Sequence, residues 1–306
     1  MGLDAVDRAI SIFGNPCVGV PFVGLTIHTK FHWPDLGIGP GGRHAALNRW
    51  TFDRVLAQRG CLGIASIDQT LVDHESRRGR HPGMVRFVPD PGEVSPRLTA
   101  REARLALGVD PGLGPLVLVY GGLDARKNIL PLLRAARVAR CMPMVALAGR
   151  LSAHAQVLRS ADDWRALEDS ARLVVEDGFL SLDRESLWFC AADVVWVGYH
   201  ADFLGQSAVI PQAASVGVPI LGRSGGLIGR TVEAHGLGET VNPEDTEGVA
   251  LAIDRLVAKR KAGDLDENLM HFAAGRSHAA YGKAWTDALS AWWRPLRDRP
   301  PDGSEG

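Results

Sequence analysis

Between Gly114 and about Lys261, short apolar runs alternate with stretches of helical spacing. The runs "PLVLVY" (115–120), "MVALAG" (144–149), "RLVVEDG" (172–178), "DVVWVGY" (193–199) and "VPILG" (218–222) have the length and β-branched content of strands. The segments between them include helical patterns over 128–140, 207–216 and 227–235, a polar helix reaching Trp164, and "ESLWFCAA" (185–192); "AIDRLVAKRKAG" (252–263) closes the block. Apolar strands separated by helices predict an α/β fold whose parallel sheet is covered on both faces. Ligands of such folds bind beyond the carboxyl ends of the strands, so the loops following the strands are where chemistry is expected.

The first 110 residues repeat the pattern in shorter form. A helix (4–13), a strand (22–28), a Gly/Pro loop "GIGPGG" (37–42), a helix (43–59), a strand (62–67), a helix (70–77) and "MVRFVPDPGE" (84–93) follow one another. That is about three strands, where a full Rossmann-like domain has about six. The Pro-, Gly- and Arg-rich "PDPGEVSPRLTAREARLALGVDPGLG" predicts the boundary. The expected organisation is therefore a partial N-terminal domain (1–110), a complete domain (111–264), helices packing back on the body (265–295) and a disordered tail (296–306). In the third of these, Tyr281, Trp285, Leu289 and Trp292 recur every three or four residues, the spacing of a buried helix face.

A net charge of −1 over 306 residues predicts neither a nucleic-acid surface nor a polybasic membrane contact. No apolar run approaches the roughly 20 residues of a membrane helix, and the N-terminus has no secretory pattern. The four cysteines show no C-x-x-C spacing, and buried free thiols in a reducing, cytoplasmic setting are expected.

Three glycine-containing loops follow strands. "YGGLDARKN" (120–128) combines Gly121 and Gly122, which let backbone approach a ligand, with the cations Arg126 and Lys127 at a helix start. Lys127 is one of only five lysines among 34 basic residues. "FLGQSAVIPQAA" offers Gly205, Gln206 and Ser207 before a helix, and the Ser207 hydroxyl can cap that helix or donate to a phosphate oxygen. "RSGGLIGR" (223–230) is the third. His28 and His32 lie four apart, but a strand ends there and Pro34 follows, so a metal pair is not expected. His28 at the strand end suits a polar group at a cleft or a satisfied structural histidine.

Together these blocks resemble retaining GT-B glycosyltransferases that use nucleotide sugars. The resemblance runs from about Gly24 to Ser290 and is strongest over 116–262. "FVPDPGE" looks like that family's interdomain "IPNGVD", "VYGGLDARKN" like "VGRLxxxKG", "GFLSLDRESLWFCAADVVWV" like "GxVxxEELxxLYxxADVFV", and "PQAASVGVPILGRSGGLIGRTVEAHGLGETVNPED" like "LEAMAxGxPVVATxxGGxxExVxxGxxGxLVxPxD". The resemblance implies two Rossmann-like domains, the N-terminal one incomplete, and front-face sugar transfer with retention and no metal cofactor. It puts Gly121, Gly122, Arg126, Lys127, Gly205, Gln206 and Ser207 on the donor diphosphate, and Gln212, Gly178 and Phe179 on the nucleoside. His28, with Asp202, would lie at the donor sugar. Two departures stand out. The family's E-x7-E pair is absent: Gln212 takes the second place, and Leu204 or Asp202 the first, depending on the anchor. The chain also begins about halfway into the family's N-terminal domain, roughly 70–100 residues short of a full Rossmann-like unit, which predicts a homo-oligomer or second chain over the exposed sheet edge.

The resulting expectation is a glycosyltransferase moving a sugar from a nucleotide-sugar donor to an unidentified acceptor. The alternative is a non-catalytic GT-B remnant that binds nucleotide or supports a second chain. No G-x-G-x-x-G with a later acidic residue follows the first strand of either half, which argues against a dinucleotide dehydrogenase.

Overall fold

The structure is a computed structural model that describes residues 7–14, 19–27, 29–39, 41–95 and 98–297. The chain forms two compact units: residues up to Asp90 together with those from His278 onward, and Pro91–Ser277.

The first unit carries α1 (Asp7–Phe13), β1 (Phe22–Thr26), α2 (Arg43–Leu56), β2 (Cys61–Ser66), α3 (Gln69–Arg78) and β3 (Val85–Phe87). The three strands form a parallel sheet in the order β1-β2-β3. Phe22, Phe31, Phe52, Val55, Ile64 and Leu71 fill one core between sheet and helices. A C-terminal helix, His278–Arg297, supplies Ala288 and Trp292 to a second cluster with Ala65 and Val88. The Trp292 ring lies so close to β2 that a Cβ on Gly63 would stand 2.1 Å from it. The aromatic periodicity of 281–292 is thus core spacing, although Leu289 itself stays exposed. His32 is buried, and its Nε2 meets the Asp68 carboxylate at 3.1 Å and the Thr70 hydroxyl at 2.9 Å. Asp68 also caps α3 by accepting from Thr70 N.

The second unit runs α4 (Ala100–Leu107), β4 (Leu116–Tyr120), α5 (Ile129–Val138), β5 (Met144–Ala148), α6 (Ala153–Val157), α7 (Asp162–Asp169), β6 (Leu173–Glu176), α8 (Leu182–Ala191), β7 (Val194–Val197), α9 (Val209–Ser215), β8 (Ile220–Arg223), α10 (Gly226–His235), β9 (Gly238–Val241), α11 (Thr246–Ala262) and α12 (Asp266–Ala274). All six strands pair in parallel, ordered β6-β5-β4-β7-β8-β9. Val117 and Val119 pack with α5, α7 and α11 on one face, while Leu116 and Leu118 pack with α8, α9, α10 and α12 on the other. Burial on both faces explains why these strands read as unbroken apolar runs.

The units divide the chain elsewhere than linker composition suggests. Residues 91–110 belong with the second unit rather than the first. A capping box of Thr99 and Glu102 starts α4, and its buried Arg104 donates to Ala191 O at 2.9 Å, to Gly114 O at 3.0 Å and to the Asp193 carboxylate. Val94 N donates to Ser215 Oγ at 3.1 Å, and Gly92 lies against Pro211. At the other end, α12 stays with the second unit and only the helix from His278 joins the first.

Cys61, Cys141 and Cys190 are free thiols; burial pushes Cys61 up to about 12, and burial together with Asp254 does the same for Cys141, which favours the protonated thiol. Cys17, the first residues of the predicted 4–13 helix and residues 298–306 lie outside the described residues. Among the described residues no helix is long and apolar enough to cross a membrane.

Candidate functional site

Parallel pairing brings the loops after β4, β5, β6, β7 and β8 to one edge of the second unit's sheet. Gly121 N donates to Ala148 O at 2.9 Å. Gly149, at φ 136°, comes so near that a Cβ there would stand 2.0 Å from Gly121 O. Glycine is therefore required at 149 by both conformation and space. Beside this contact lies a cavity of about 590 Å³ lined by residues 120–124, 149–153 and 178–180. Gly178 and Phe179 line it; Phe179 is 88% exposed, with the Arg150 guanidinium 5.4 Å from its ring centroid.

The β4 loop turns its lysine inward. The Asp124 carboxylate accepts from Arg126 N at 3.0 Å, a short 3-10 turn covers Ala125–Lys127, and Asn128 enters α5 from the left-handed region at φ 51°. Lys127 ends only 3% exposed. Its Nζ donates to Tyr199 Oη at 2.6 Å and stands 4.5 Å from that ring's centroid. Among the described residues no carboxylate pairs with it. Burying an ammonium costs several kcal/mol unless an anion or sufficient acceptors compensate, and one phenol supplies a single acceptor. Two of the three ammonium donors are thus left for something else.

The β7 loop is fixed from three sides. Tyr199 Oη meets Ser207 Oγ at 2.9 Å. Arg223, at the end of β8, donates to the carbonyls of His200 at 3.1 Å and Ala201 at 2.6 Å. Burial lowers the Arg223 pKa, and neighbouring Asp202 partly offsets this. Leu227 N donates to Leu204 O at 2.9 Å, so "RSGGLIGR" supports "FLGQS" from below. Gly205, Gln206 and Ser207 are half-buried in this loop. Ser207 does not cap the following helix, because its hydroxyl is turned to Tyr199. The helix begins at Val209, shorter than the spacing predicted, with Ala208 in the cap position and no side-chain cap. Arg126 lays its guanidinium over Tyr199 and Phe203, 5.5 and 5.0 Å from their centroids. It braces the Tyr199–Phe203 pair, whose tyrosine holds Lys127.

Other sequence candidates are dispersed. Gln212 Nε2 donates to Glu185 Oε1 at 2.9 Å, and Tyr120 Oη donates to Glu185 Oε2. Burial first, then the hydrogen bond to Glu185 and its charge, raises the Tyr120 pKa and keeps its phenol a donor. Glu185 was not among the sequence candidates; the one signal for it is its place at the head of "ESLWFCAA", directly after Asp183 and Arg184. Asp202 is 93% exposed at its side chain, with His200 Nδ1 at 3.3 Å. His28 lies outside the described residues.

No protein-family model and no curated protein matches this sequence. Solved structures do. Anabaena HepE in complex with UDP shares 16% identity, with 93% of this chain and 77% of that chain covered, at a TM-score of 0.70. Sucrose-phosphate synthase from Thermosynechococcus elongatus shares 19% identity, covering 92% of this chain and 69% of that one, at a TM-score of 0.65. A glycosyltransferase from Rickettsia africae shares 11% identity, covering 97% and 81%, also at 0.65. The chain therefore has an α/β fold of the GT-B type, with two Rossmann-like units carrying parallel sheets of three and six strands among the described residues.

Proposed function

We propose that this chain is a glycosyltransferase that moves a sugar from a nucleotide-sugar donor to an acceptor, with retention of configuration and without a metal. The observation that carries the reading is Lys127, an ammonium buried on Tyr199 with no carboxylate partner among the described residues, beside a glycine-lined cavity at a sheet edge. A diphosphate supplies the anion that such a group favours. As the sugar–oxygen bond breaks, negative charge grows on the departing diphosphate, and a preorganised cation stabilises it without reorganisation. Gly121, Gly122 and the turn Gly205–Ser207 would approach the same phosphates. The cavity beside Gly178 and Phe179 would take the nucleoside, with Gln212 toward the ribose. Asp202, and His28 on the strength of the resemblance, would act at the sugar. Similar solved structures hold UDP or UDP-glucose, which supports a nucleotide sugar as donor.

Isothermal titration with UDP-, GDP- and dTDP-sugars tests the first step. Binding of at least one, followed by transfer or slow donor hydrolysis, is expected; silence across the panel refutes the reading. A second reading is a GT-B chain that binds nucleotide without turnover. It is favoured by Gln212, where the resemblance has a glutamate, and by the wide exposure of Asp202. Donor binding with no transfer to any acceptor and no donor hydrolysis would select it.

A further inference from the structure

We infer that Glu185 reads the ribose of the bound nucleotide, selecting ribonucleotide over deoxyribonucleotide donors. This rests on the cavity being a nucleotide site. Three observations carry it. First, Glu185 is a half-buried carboxylate held only by neutral donors, Tyr120 Oη on one oxygen and Gln212 Nε2 at 2.9 Å on the other. Among the described residues no Lys or Arg pairs with it. The neighbouring carboxylates are neutralised: Glu176 takes Arg184 at 2.7 Å and Trp188 Nε1 at 2.6 Å, and Asp193 takes Arg104. Each Glu185 oxygen therefore keeps acceptor capacity beyond its single donor.

Second, Glu185 is one hydrogen bond from the cavity wall, since Tyr120 lines the cavity. Third, the site is polarised about one strand end. Tyr120 reaches the Glu185 anion, while the next residue, Gly121, has a Cβ position 3.8 Å from Lys127 Nζ. A carboxylate repels phosphate and accepts from hydroxyls. A ligand carrying both groups would then lie with its phosphates toward Lys127 and its diol toward Glu185. The vicinal diol of a ribose offers two O–H donors to the two oxygens of one carboxylate. The Gln212 amide, donating to Glu185, keeps that carboxylate turned to a fixed orientation and so acts as a positioning residue.

The test compares UDP and GDP with their 2′-deoxy forms by titration against the full chain, Glu185→Gln and the swap Glu185→Gln/Gln212→Glu. Glutamine at 185 is isosteric and still accepts from Tyr120, so folding is preserved and circular dichroism checks it. The full chain should prefer the ribonucleotide by about 10- to 100-fold, the scale of a hydrogen bond to a charged group. Glu185→Gln should collapse that ratio, and the swap, which returns a carboxylate across the 2.9 Å contact, should restore it. A ratio unchanged by Glu185→Gln overturns the inference and leaves the nucleotide site standing. Absence of binding by every nucleotide removes both.

Discussion

Replacing Lys127 by methionine should separate function from stability. The ammonium makes one charge-assisted hydrogen bond, at 2.6 Å to Tyr199 Oη, and one cation–π contact at 4.5 Å. Their loss costs about 1.5–3 kcal/mol for the hydrogen bond and about 1–2 kcal/mol for the π contact. Against this stands the burial of a charge only 3% exposed with no carboxylate partner among the described residues, a penalty of several kcal/mol that methionine, of similar length, removes. The terms cancel to within about 1–2 kcal/mol, so Lys127→Met should leave the melting temperature within about 5 °C of the parent, or raise it. Nucleoside-diphosphate affinity should fall about 10- to 150-fold, since a charge-assisted phosphate contact of 1.5–3 kcal/mol disappears. Differential scanning fluorimetry with and without UDP or GDP reads both effects in one experiment. The decisive contrary result is a variant that melts far below the parent yet binds nucleotide equally well. Lys127 would then be a structural strut for the β7 loop, and the proposed function would lose its main support.

Three further outcomes follow from other parts of the molecule. Gly149→Ala would force an L side chain to φ 136° and put its Cβ 2.0 Å from Gly121 O; conformation alone costs about 1–3 kcal/mol, so urea denaturation should show at least that loss, with weaker nucleotide binding, and parent-like behaviour would contradict the close approach. Arg104→Met leaves Asp193, among the described residues, with only the Leu116 N–H at 2.7 Å, and a drop of about 3–5 kcal/mol in urea denaturation is expected; a smaller loss would mean that residues 91–110 dock loosely on the second unit. His74, held down to about 4 chiefly by burial, then by His32, Arg49 and Arg78 against the opposing Asp35, stays neutral in the folded chain while the unfolded chain protonates near 6.5. The unfolded state binds more protons between those values, so the His74 contribution is full above pH 6.5 and is lost as pH falls toward 4, by up to about 3 kcal/mol. His74→Gln should flatten the dependence of urea midpoint on pH over that range, and an unaltered slope would rule this out.

The six-stranded sheet was legible because its central strands are buried on both faces, where Val, Leu and Ile are nearly obligatory. The exception is β9, "GETV", an edge strand whose half-exposed residues leave no apolar run to recognise. The boundary at residue 90 was not legible, since Pro, Gly and Arg mark a free linker and a docked segment alike. What docks this one is Arg104 reaching Ala191 and Asp193, partners almost ninety positions away. The site divides the same way. Gly121, Lys127 and Gly205 stand out as candidates by residue type, because glycine lets backbone approach a ligand and lysine brings a cation to a helix start. Ser207 was visible, but its partner was not: a serine before a helix reads as a cap, and only tertiary structure turns it to Tyr199. Glu185 was hidden for the opposite reason. It follows Asp183 and Arg184 in the first turn of α8, which reads as a solvated helix start, and nothing local to it says that Tyr120 and Gln212, 65 and 27 positions away, converge on its carboxylate. Pattern reveals groups whose role depends on their own backbone; it misses those whose role is conferred by neighbours distant in sequence. A glutamate in the first turn of a helix that goes on as apolar core therefore invites a search for a polar partner before it is assigned to the surface.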